Sequence, residues 1–126
     1  MSGCASPPRL AIADMVKVED VCELARRLPR SYDVVVRGRL KFRVGRIVYL
    51  AFSKDETVMG FAFPKEWRNV LLESEPHKFL PPEPVDVRYN WLQVRLSAID
   101  EAEMRNLVID AWRFVVPKRV AASHQP

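Results

Sequence analysis

The sequence predicts an α+β domain: an antiparallel sheet of about five strands with three helices, in the order α-β-β-β-α-β-β-α. Three observations lead there. One segment near each end repeats apolar residues at i, i+3, i+4 and i+7, the signature of an amphipathic helix. Between them lie runs rich in β-branched and aromatic residues. The first of those runs are joined by links too short for a parallel crossover, so neighbours pair antiparallel and helices cover one side of the sheet.

Taken in order, residues 1–14, "MSGCASPPRLAIAD", are rich in small residues and proline and read as a flexible tail. Residues 15–118 read as one domain, and 119–126 as a second tail; a chain of 126 residues suits a single core. In "VKVEDVCELARRLPR", Val18, Val21, Cys22, Ala25 and Leu28 form the apolar stripe of a helix that ends at Pro29. "YDVVVRGRLKFRV" reads as one long strand. Gly45-Arg46 forms a two-residue turn with glycine first, as a type II′ hairpin prefers, and "IVYLAFS" returns. After the polar "SKDE", "TVMGFAF" is a third strand, and Pro64 opens a helix with Trp67, Val70 and Leu71 on one face. "EPHKFLPPEPVD" carries four prolines and reads as a loop. "VDVRYNWLQVRLSAI" is extended, either one bent strand or a hairpin. Asp100 to Glu103 resembles a capping box, and Met104, Leu107, Val108, Ala111 and Val115 mark the final helix, closed by Pro117.

Composition excludes several classes of function. No apolar run approaches the ~18 residues of a membrane helix. The N-terminus lacks the pattern of a signal peptide, so a cytoplasmic protein is expected. Cys4 and Cys22 are too far apart in the sequence for a zinc motif and too few for a disulfide framework. Cys22, on the apolar face of its helix, reads as core. His77 in the proline loop and His124 in the tail make no catalytic set, and no nucleophile elbow, phosphate-binding glycine loop or dinucleotide fingerprint occurs. A non-catalytic protein without cofactor or metal is expected.

The charge is unevenly placed. The net charge is +4, yet the segment from Arg26 to Arg46 holds eight basic residues against the single acid Asp33. Within it Arg37, Arg39, Lys41 and Arg43 alternate with apolar residues, and Arg46 follows in the turn. A regular hairpin would pair Phe42 with Tyr49 and Leu40 with Ala51 on the core face. The other face would then set Arg39, Lys41 and Arg43 beside Phe52, Leu50 and Val48. Two readings fit that mixed face. The cations grip a polyanion such as DNA through its phosphates, with Arg88 and Arg95 added from the later strand. Alternatively the cations are merely solvated, and the row Val48, Leu50, Phe52 docks a protein partner or a second copy, as a monomer or weak homodimer. A register slip of one residue would exchange the faces. Trp67 and Trp112 read as core anchors. Trp91, in "RYNWLQVRL", reads as core or as a platform for stacking a base.

The motifs "VEDVCELARRLP", "LKFRVGRIVYLAFS", "FPKEW", "RYNWLQVRL" and "DEAEMRNLVIDAWRFVV" follow one another in an order that resembles the MmcQ/YjbR family, described as DNA-binding. The resemblance spans about Val16 to Lys118. It implies a compact domain like type III secretion chaperones and like the "double wing" DNA-binding module, whose sheet lies on the duplex. Relatives commonly have histidine before the tryptophan and Ser-Tyr in the last helix. Here Asn90 and Ala111-Trp112 stand in those places, so any function carried by those polar residues is altered in this chain.

Overall fold

The computed structural model describes residues 16–123. The tail 1–14, with Cys4, and His124 lie outside the described residues. Helix α1 is Val18–Ala25. Four strands follow: β1 (Ser31–Val36), β2 (Arg39–Val44), β3 (Ile47–Phe52) and β4 (Val58–Ala62). Then come α2 (Lys65–Ser74), β5 (Phe79–Leu80), β6 (Trp91–Arg95), α3 (Glu101–Val115) and α4 (Lys118–Ser123). The sheet has six strands in the order β1-β2-β3-β4-β6-β5, all antiparallel.

The α+β class and its antiparallel sheet are as expected; the counts are not. "YDVVVRGRLKFRV" is two strands, because Arg37 and Gly38 both adopt left-handed backbone (φ 54° and 77°). That pair is a two-residue hairpin turn of the primed kind, whose twist matches the flanking strands. Phe79–Leu80, inside the proline-rich loop, adds a short edge strand on β6. β6 itself begins only at Trp91, since residues 84–86 form a 3-10 turn. The C-terminal segment is helical from Lys118 to Ser123, and Val120 is buried.

One face of the sheet carries the core. Phe42, Val44, Tyr49, Leu50, Phe52, Met59, Phe61, Leu92 and Val94 form one core with buried residues of α1 and α3, where α3 packs on β3 and β4 and α1 packs on α3. Trp112 is fully buried, and its indole N–H donates to the Pro29 carbonyl at 2.8 Å, tying α3 to the end of the α1 segment. Cys22 is buried as expected, and burial pushes its thiol pKa up. Asp100 caps α3 by accepting from the Glu103 N–H at 2.8 Å. The Glu103 carboxylate reaches Lys78, which also bridges to Glu75. Trp67 is no core anchor: it is 64% exposed, since α2 packs mainly at the β5–β6 edge and buries none of its residues completely.

The hairpin register differs from the regular one. Val44 pairs with Ile47 and Arg43 with Val48, as a two-residue turn requires, and Gly45 has φ 61°. Then the ladder shifts: Phe42 faces Leu50 and Lys41 faces Ala51, leaving Tyr49 as an extra, bulged residue. Beyond the bulge every side chain of β3 changes face relative to regular pairing. Leu50 and Phe52 are therefore 0% exposed and belong to the core. The expected outward row Val48, Leu50, Phe52 does not exist; only Val48 remains on that side.

Candidate functional site

The face of the sheet opposite the core has an unusual relief, produced by alternation within single strands. In β4, Met59 and Phe61 point to the core, so Val58, Gly60 and Ala62 point out. In β3 the bulge leaves Ala51 outward. In β6, Trp91, Gln93 and Arg95 are outward, while Leu92 and Val94 are buried. The register lines these up across four strands: Lys41 beside Ala51, Ala51 beside Gly60, Gly60 beside Gln93. Ala62 lies beside Trp91. Long side chains on β2 and β6 thus flank a floor of Ala and Gly.

The result is a trough of about 490 Å³. Arg39 and Lys41 stand on one side. The loop before β6 walls the other with Glu83, Asp86 and Tyr89. The Trp91 indole leans across Gly60 so closely that a Cβ there would lie 2.7–2.9 Å from Nε1, Cζ2 and Cε2. Arg68 on α2 holds that loop in place, donating to the carbonyls of Val87, Tyr89 and Trp91 at 3.0–3.2 Å.

Two amides in the trough have one end fixed. The Asn90 Oδ1 accepts from the Lys65 N–H at 3.0 Å, so its Nδ2 remains to donate. The Gln93 Nε2 donates to the Pro81 carbonyl at 2.8 Å, so its Oε1 remains to accept.

The sequence-predicted cations are brought together in part. Arg39, Lys41 and Arg43 stand on the outward side of β2, with same-face neighbours about 6–7 Å apart. Arg37 and Arg46 sit in the turns at its two ends rather than on the strand. Arg39 is engaged: its Nε donates to the Phe52 carbonyl at 3.1 Å. Arg43 has its Nε buried without a hydrogen-bond partner among the described residues. The side chains of Arg37, Lys41, Arg46 and Arg95 make no hydrogen bond or ion pair there. Arg95 is outward on β6, opposite Val58. Arg88 is not on β6: it lies in the loop before it, with its guanidinium 4.9 Å from the Tyr89 ring centroid and bonded to the Tyr89 hydroxyl.

Sequence reasoning missed the trough floor and the two anchored amides. One signal was present: in "TVMGFAF" the small residues Gly60 and Ala62 alternate with the large Met59 and Phe61. Among the described residues no cluster of His, Cys, Asp and Glu is placed to hold a metal ion, and no helix is long and apolar enough to cross a membrane.

In comparisons with known proteins, no curated protein matches the chain. Among solved structures it is similar to Deinococcus radiodurans protein DR2400, a crystal structure with the family-model domain DUF419. The TM-score is 0.72 at 19% identity, covering 84% of this chain and 83% of that one. At that identity the likeness establishes the fold. The model of the YjbR family matches residues 26–114, from the end of the first helical segment to the last turn of α3. Since that is well over half of the sequence, the chain belongs to the YjbR family.

Proposed function

We propose that this protein is a non-catalytic DNA-binding protein that uses the outward side of β2 and its two turns to contact the phosphate backbone. The observation that carries the reading is the line of cations from Arg37 to Arg46 along β2 and the turns at its two ends, with Lys41 and both turn arginines unpaired among the described residues. Unpaired cations at regular intervals suit a repeating anion, because each neutralised phosphate releases condensed counterions. Membership of the YjbR family agrees with the reading. Arg39 contributes less freedom than its neighbours, being held to Phe52, and Arg95 extends the basic surface toward β6.

The test is fluorescence anisotropy of a labelled 16-bp duplex titrated with protein at several salt concentrations. Four to five phosphate contacts give a slope of log K on log salt of about −4. Combining Arg37→Gln, Lys41→Gln and Arg46→Gln reduces the slope by about 1 per cation removed. Unchanged affinity in that triple variant, with the fold intact by circular dichroism, overturns the assignment.

A further inference from the structure

We infer that the trough is a binding site for one nucleotide with an unpaired base, the base entering beside Trp91 and its phosphate resting on Lys41. This inference rests on the nucleic-acid reading of the same face and adds what that face selects.

Four observations carry it. The first is scale: about 490 Å³ lies in the range of small-molecule sites, while a duplex lying on the sheet would leave such a depression unfilled. The second is charge. Lys41 stands on one side of the floor, and Glu83 and Asp86 on the other. A phosphate is attracted to the first side and repelled from the second, so a backbone follows β2 and only an uncharged group can cross toward the loop.

The third is the lining. Trp91 is half-buried and Tyr89 exposed, both at the trough, and aromatic rings hold unpaired bases by stacking regardless of sequence. The indole itself covers Gly60, so the room beside it lies over the short side chain of Ala51. The fourth is the pair of anchored amides. Asn90 presents a donor and Gln93 an acceptor, each with its other end fixed to backbone. A base edge offers both kinds of partner once it is no longer paired, and a group already held in place loses little freedom on binding. A duplex hides those edges; a single strand, a bulge or a free nucleotide shows them.

The experiment uses the full chain and three probes: a 16-nucleotide single strand, the matching duplex, and a nucleoside monophosphate. Amide resonances are followed by NMR during each titration, alongside anisotropy. The single strand is expected to shift Ala51, Gly60, Ala62 and Gln93, and to bind more tightly than the duplex at equal salt. Trp91→Leu should weaken the single strand about tenfold while changing the duplex less than twofold. Shifts of the same floor residues by the monophosphate identify a free nucleotide as a sufficient ligand. Floor shifts with the strand alone mean that the neighbouring phosphates are required. Both outcomes support the site. If the duplex binds as well as the strand and no floor residue shifts, the inference fails while the DNA reading stands. If none of the probes binds at low salt, both fail. The wild-type NMR arms keep the test decisive should Trp91→Leu unfold.

Discussion

Gly60 and Trp91 set the depth of the trough between them. Gly60→Ala would place a methyl group 2.7–2.9 Å from the indole, inside contact distance, so Trp91 must swing away or the strands must part. We expect a loss of about 1–3 kcal/mol in urea unfolding, with an altered tryptophan environment. Leu50 gives the sharper test of the bulged register. It is fully buried, so Leu50→Ala should cost about 2–5 kcal/mol. A loss below 1 kcal/mol would place Leu50 outside the core. Tyr49, the bulged residue, is also fully buried and bonds the Ser31 hydroxyl at 2.5 Å. Burial pushes its phenol pKa up to about 12, against an ordinary value of 10.0. The folded state holds the proton more tightly than the unfolded state. Its contribution is therefore complete below pH 10 and is lost as pH rises through about 12. The fall in stability across that window should be visibly shallower in Tyr49→Phe, followed by denaturant melts at each pH.

At the scale of elements, turns and bulges decide what each strand presents. Arg37 holds left-handed backbone with φ 54°, a conformation that favours Asn or Gly. Arg37→Asn should raise stability by about 0.5–1 kcal/mol while removing one cation from the proposed DNA contact, separating the two roles of that position. Arg68 fixes the trough wall through three carbonyls, so Arg68→Met should leave the fold intact yet speed amide exchange in residues 87–91. Most of this architecture was legible from periodicity. The helical stripes at Val21 and Cys22 and at Met104 and Val108, the Gly45 turn and the Asp100 cap all followed from local chemistry. The Tyr49 bulge did not, because a shift of one residue depends on which large side chains the core accepts, and alternation in "IVYLAF" reads equally well in either register. The Arg37-Gly38 turn was hidden by the charge pattern: arginines on either side continued the ladder through it.

Across the whole molecule, charge and core are separated. The described residues bury no charged side chain as a whole, and the core is hydrophobic throughout. The ion pairs Arg26–Asp33 and Arg27–Glu23 lie at the surface, where salt screens them. Raising salt to 1 M should therefore shift the melting temperature by only a few degrees while removing nearly all affinity for DNA. A melting temperature that collapses with salt would show that the charges hold the fold. The cations of the candidate site were readable from sequence because they cluster within a short segment. The acidic wall of the trough was not, since Glu83 and Asp86 come to face Lys41 only through the β4–β6 pairing, which brings distant segments together.

The extra residue in β3 also decides which side chains the hairpin shows to solvent. Paired regularly, the hairpin would carry Leu50 and Phe52 outward beside Val48, a greasy ridge of the sort that recruits a second copy. The bulge turns both inward and leaves Ala51 in their place. One backbone irregularity thus converts a would-be crest of large apolar side chains into a valley floored by Ala51.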